Sequence, residues 1–81
     1  MEINVKLFAT FRTLAPEKVA IGEAFKLDVE ENTMIIDVIE MLRLPLEEVK
    51  IVLVNGVHAN DYNHQLKPND VVAYFPPIGG G

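Results

Sequence analysis

Thr33-Met34-Ile35-Ile36-Asp37-Val38-Ile39-Glu40-Met41-Leu42-Arg43-Leu44-Pro45 decides the fold, because here alone the apolar residues repeat with a helical period. Ile35, Val38, Ile39 and Leu42 fall at i, i+3, i+4 and i+7 and line up one apolar stripe, while Asp37, Glu40 and Arg43 lie off it. Thr33 is the expected N-cap, with Asn32 an equally acceptable one, and Asp37 and Glu40 suit the positive end of the helix dipole. Pro45 lacks an amide hydrogen and its ring clashes with the preceding turn, so the helix is expected to run no further than Leu44. One helix with one stripe needs one apolar surface to lie on, and the flanking segments supply it.

On the N-terminal side Ile3, Val5 and Leu7 alternate with Asn4 and Lys6, the period of a strand with one face buried. Phe25, Leu27 and Val29 alternate again and read as an antiparallel return. Between them Phe8 to Ala15 breaks the alternation before Pro16, which allows at most one helical turn, followed by a loop through Gly22. On the C-terminal side Glu47 to Lys50 reads as a short turn and Ile51 to Val54 as a strand. Asn55-Gly56 is the pair that tolerates positive φ at both central positions of a type I′ hairpin, so a short strand follows. Asn60 to Asn63 and Pro68-Asn69-Asp70 are turn-rich, and Val71 to Phe75 is the last strand. Strand, strand, helix, strand, short strand, strand makes an α+β roll: a mixed sheet of four to five strands with one main helix across it. The pattern leaves the sheet order open. Ile51 to Val54 and Val71 to Phe75 are apolar on both faces, which fits either central strands shielded by loops or an exposed patch for another protein.

The chain has 81 residues, 49% of them hydrophobic and 23% charged, enough for one domain with a thin core. It has no cysteine, which removes a disulfide framework, a thiolate metal site and a thiol nucleophile. No secretory leader or membrane-spanning run is read, so the expected location is the cytoplasm. Seven basic against twelve acidic residues give a net charge of −5, which argues against nucleic acid and anionic membranes as partners.

Catalytic groupings find little support. There is no serine, His58 and His64 sit in turn-rich sequence without a nucleophile beside them, and Thr10, Thr13 and Thr33 read as strand-exit or cap residues. Glu30-Glu31 and Glu47-Glu48 are sequence neighbours whose side chains point apart, so they make no acid and base pair. Asn55-Gly56 lies between strands and lacks the glycine-rich entry into a helix that a phosphate loop requires. No metal site is expected.

The C-terminus is different. Pro76-Pro77 fixes φ and favours an extended exit from the last strand, which aims Ile78-Gly79-Gly80-Gly81 before the chain becomes flexible. Extended at about 3.3–3.6 Å per residue, that tail reaches roughly 13 Å, enough to enter a buried active site on another protein. Glycines carry no Cβ and can thread a narrow channel, so the expected reactive group is the carboxylate of Gly81, against the plainer reading of three glycines as a frayed end. The domain reading is 1–75 for the body and 76–81 for the tail.

Four stretches carry a family resemblance: Phe8-Ala9-x-Phe11-Arg12-x-Leu14, Val54-Asn55-Gly56, Leu66-Lys67-Pro68-Asn69-Asp70-Val71, and Phe75-Pro76-Pro77-Ile78-Gly79-Gly80-Gly81. In these the chain resembles, end to end, the MoaD/ThiS group of sulfur carriers, ubiquitin-like β-grasp domains. The proline pair is closer to MoaD, the small subunit of molybdopterin synthase. The resemblance implies a carrier and not an enzyme. A MoeB-like adenylating enzyme, using ATP and magnesium, would activate Gly81, and a sulfurtransferase would supply the sulfur. A MoaE-like large subunit would then receive Gly79, Gly80, Gly81 and Ile78 in its channel, with Phe75, Pro76 and Pro77 against its surface, for transfer to a pterin precursor of a molybdenum or tungsten cofactor. No cofactor would be held permanently. A ThiS-like carrier for thiamine thiazole synthesis and a ubiquitin-like modifier conjugated to lysines are the alternatives with the same tail. Gly79 stands where the group often has a small polar residue, and the link from Leu44 to Val49 is shorter than is typical. Asn69 stands where glycine is common, and asparagine tolerates the left-handed turn that this implies.

Overall fold

β1 (Glu2–Leu7) buries Ile3, Val5 and Leu7 and turns Asn4 and Lys6 to the other face. The computed structural model describes residues 1–77. After β1 the chain enters a 3-10 helix, Ala9–Leu14, whose six residues make two turns where one was expected. Ala9 adopts φ = 52°, a left-handed conformation that its Cβ disfavours. Phe11 anchors the helix in the core at 1% exposure. The loop that follows turns at Gly22 with φ = 78°, a conformation open to glycine. β2 (Phe25–Asp28) then returns antiparallel to β1 as expected, with Val5 opposite Phe25 and Ile3 opposite Leu27.

The helix, α1 (Ile35–Met41), is shorter than its sequence pattern at both ends. Thr33 is not its cap: the hydroxyl donates to the Glu30 carbonyl at 2.6 Å, and Asn32 sits at φ = 68° in the turn before. The Met34 amide donates to Asp37 Oδ2 at 2.8 Å, and the Ile35 and Ile36 amides that a Thr33 hydroxyl would have capped donate to the His64 and Tyr62 carbonyls at 3.1 and 2.9 Å. At the other end Arg43 takes φ = 58°, and the Leu44 amide reaches back to the Ile39 carbonyl at 2.9 Å. This left-handed stop ends the helix ahead of Pro45 and drops Leu44 into the core. A short 3-10 turn, Leu46–Glu48, leads on.

β3 (Ile51–Val54) and β4 (Val57–His58) form the expected hairpin, with φ of 52° at Asn55 and 81° at Gly56. β5 (Val71–Phe75) is preceded by Asn69 at φ = 68°, the turn conformation expected at that position. The five strands lie in the order β2-β1-β5-β3-β4, with β1 and β5 parallel and the other neighbours antiparallel. This is the mixed sheet crossed by one main helix read from the sequence. Val5, Val52, Val72, Tyr74 and Phe25 meet Ile35, Val38 and Ile39 between sheet and helix. The Tyr74 hydroxyl donates to the Ile35 carbonyl at 3.0 Å and ties the central strand to the start of α1.

Candidate functional site

β5 is the strand that carries the C-terminal segment, and it is locked between β1 and β3. It is a central strand, and α1 covers the side bearing Val72 and Tyr74. On the opposite side, pairing places Lys6, Ala73, Leu53 and His58 in one row and Phe75 and Ile51 in the next. Ala73 is buried by its neighbours, Leu53, Val71 and Phe75 are half-buried, and Ile51 is 38% exposed. This apolar face ends where the chain leaves the sheet.

At that exit the Phe75 carbonyl accepts the Lys50 amide at 3.0 Å, Pro76 is buried and Pro77 is exposed. The Phe8 ring stacks on Phe75 with centroids 4.3 Å apart and planes inclined by 9°. Of the site residues read from the sequence, Phe75, Pro76 and Pro77 thus sit together at one corner of the open face. Ile78, Gly79, Gly80 and Gly81 lie outside the described residues.

Phe8 has no assigned role in the sequence reading. Its partner comes from parallel pairing across some 67 positions, Asn4 with Val71 through Leu7 with Tyr74, and local patterns do not reveal such register. The sequence signal was the Phe8-x-x-Phe11 spacing, which a 3-10 helix divides between two jobs. Phe11 goes to the core and Phe8 to the tail exit, while Arg12 Nη2 donates to the Val19 carbonyl at 3.3 Å and pins the loop.

The other two shared stretches meet each other. Asp70 Oδ1 accepts from Asn55 Nδ2 at 2.9 Å and Oδ2 from the Lys67 amide at 2.8 Å, while Asn55 Oδ1 accepts from the Val71 amide at 2.8 Å. The Asn55 amide donates to the Val71 carbonyl at 2.7 Å. These groups clamp the β3–β4 turn to the start of β5, a structural role at the end of the strand remote from the exit.

His58 and His64 are both exposed and border an open cleft with Val54, Val57 and Asp61. Among the described residues no three His, Asp or Glu side chains are grouped to hold a metal, and no helix is long and apolar enough to cross a membrane. The arrangement suits presentation of a chain end beside a docking face.

A family model described as the ThiS family matches residues 5–81. No curated protein matches the chain. Among solved structures, a provisionally assigned molybdopterin converting factor subunit 1 from Pyrococcus furiosus is 28% identical over 95% of this chain and 98% of its own, with a TM-score of 0.69. SAMP1 from Haloferax volcanii is 23% identical over all of both chains, with a TM-score of 0.72. A chain of the complex of subunits 1 and 2 of the molybdopterin-converting factor from Helicobacter pylori is 20% identical over all of both chains, with a TM-score of 0.62. The five-stranded sheet with its single main helix is the ubiquitin-like β-grasp fold that these structures share.

Proposed function

This chain belongs to the ThiS family of ubiquitin-like sulfur carriers, and from that premise we propose that it carries sulfur on the carboxylate of Gly81 for delivery to a pterin precursor of the molybdenum or tungsten cofactor. The observation that carries the reading is the exit at Phe75-Pro76-Pro77: the last strand is fixed at the sheet centre and ends beside an uncovered apolar face. The 28% identity to the Pyrococcus furiosus subunit, and the MoaD-like proline pair Pro76-Pro77 of this chain, favour the pterin route over thiazole synthesis.

A carboxylate is a poor electrophile. In this reading a MoeB-like enzyme supplies ATP and magnesium, an oxygen of the Gly81 carboxylate attacks the α-phosphorus, and pyrophosphate leaves. The mixed anhydride has AMP as a good leaving group. A hydrosulfide equivalent delivered by a sulfurtransferase displaces AMP and leaves a thiocarboxylate. Gly79 and Gly80 let the backbone pass through a narrow channel of a MoaE-like partner, while Phe75, Pro76 and Pro77 rest at its mouth. This chain supplies no acid, base or metal to either step, and the chemistry belongs to the cytoplasm, where ATP and the sulfur donor are at hand.

The test is direct. Purified chain incubated with a competent adenylating enzyme, ATP, magnesium and sulfide exchanges one terminal oxygen for sulfur, read by intact mass, and deletion of Gly81 abolishes the exchange. An unchanged mass with an enzyme shown to be active refutes the carrier reading. Conjugates on lysines in place of a thiocarboxylate would mark a protein modifier.

A further inference from the structure

The open sheet face differs in charge from the rest of the molecule. Strand pairing puts four charged side chains on it: Lys6, Lys26, Glu2 and Asp28. They cancel. The other five basic and ten acidic residues lie on loops, helix and helical turns, so the entire excess of −5 resides off the face. The charge is also ordered along the face. Glu2 and Asp28 form the row farthest from Phe75, with Lys26 3.8 Å from Glu2 and the chain amine 3.7 Å from Asp28. The two rows nearest the exit contain Lys6, Ala73, Leu53, His58, Phe75 and Ile51, and no carboxylate. The last strand of an acidic protein thus ends beside an apolar patch with Lys6 on one side and His58 on the other.

We infer that the surface receiving this face is an apolar patch edged with carboxylates, and that Lys6 selects and steers it. The inference rests on the carrier reading above and specifies the partner's chemistry. Opposed charge across an interface acts on encounter and register more than on packing. The acidic loops and helix are repelled by the same surface in wrong orientations. Lys6 is a positioning residue: it is half-buried and pairs with Ala73 in the row next to the exit.

The experiment follows ATP–pyrophosphate exchange by the adenylating enzyme of the same organism with this chain as the varied substrate. Lys6→Glu is expected to raise KM about tenfold with kcat within about twofold, as loss of a rim charge does. Lys18→Glu makes the same change of net charge in the loop before β2 and is expected to leave both constants within about twofold. Raising the salt concentration raises KM for the unmodified chain and does so less for Lys6→Glu. An unchanged or lower KM for Lys6→Glu, equal effects of the two substitutions, or a KM that falls with salt overturns the inference while the carrier reading stands. An unmodified chain that a demonstrably active enzyme does not turn over overturns both.

Discussion

Replacing Asp70 by alanine tests whether the two turn sequences of this family are a structural clamp. The carboxylate accepts two hydrogen bonds, from Asn55 Nδ2 at 2.9 Å and the Lys67 amide at 2.8 Å, and Asp70 is 9% exposed. Hydrogen bonds to an ionised group contribute about 1.5–3 kcal/mol each, and a donor left buried without a partner costs more than one that water can reach. Asn55 is exposed and regains water, whereas the Lys67 amide is partly buried, so each bond is taken near the low end. The expected loss for Asp70→Ala is about 3 kcal/mol, which for a domain of this size lowers Tm by about 15 °C. Asn4 still donates to the Asp70 carbonyl at 2.8 Å, so the fold and the denaturant m-value are expected to persist. Urea unfolding followed by far-ultraviolet circular dichroism gives the loss. Combining the change with Asn55→Ala gives a coupling near 1 kcal/mol in a double-mutant cycle. A loss below about 1 kcal/mol, or strict additivity with Asn55→Ala, would refute the clamp and leave the shared sequence without this explanation.

Ala9→Gly relieves the left-handed conformation after β1 and is expected to stabilise the chain by about 1 kcal/mol in the same urea experiment; destabilisation would show that the alanine methyl group is needed for packing. Tyr74→Phe removes the hydroxyl bonded to Ile35 and is expected to cost about 1 kcal/mol at neutral pH. Burial, aided by Tyr62 and Asp37, pushes the Tyr74 phenol well above its ordinary value near 10, so the folded chain keeps a proton that the unfolded chain releases. Stability from this group is whole below about pH 10 and declines as the pH rises beyond it, and Tyr74→Phe should flatten that alkaline decline in a pH series of urea midpoints. Phe8→Ala breaks the stack on Phe75, with an expected cost of about 1 kcal/mol in stability and a raised KM for adenylation at unchanged kcat; an unaltered KM would confine Phe8 to folding.

Strands and hairpin were legible because each is a local pattern: alternation in β1 and β2, and two positive-φ residues at Asn55-Gly56. The single helix was legible in kind but not in length. Apolar periodicity from Ile35 to Leu42 says which residues face the sheet, yet the stop at Arg43 is a backbone choice that puts Leu44 into the core, and no glycine announces it. The start was misread for a related reason. Thr33 has the chemistry of a cap but uses its hydroxyl in the preceding turn, and the Ile35 and Ile36 amides find the His64 and Tyr62 carbonyls instead. Phe75, Pro76 and Pro77 were legible as the point where the chain leaves the last strand, whereas Phe8 and Lys6 were not readable as its neighbours. Their position depends on the parallel pairing of the two ends of the chain, which pattern alone does not specify.

That pairing also links presentation of the tail to folding of the whole domain. β5 is bonded to β1 at one edge and β3 at the other, and its register with β1 closes almost the full length of the chain. Contacts of such separation repay their loop-closure entropy only when the intervening elements are in place. The Phe8–Phe75 stack, the buried Pro76 and the apolar rows beside them therefore assemble together, and a chain lacking its helix or hairpin packing has no such corner. A strand at the sheet edge would offer the same sequence to a partner while frayed. Placing it at the centre makes the open apolar face and the exit at Phe75 properties of the folded state alone.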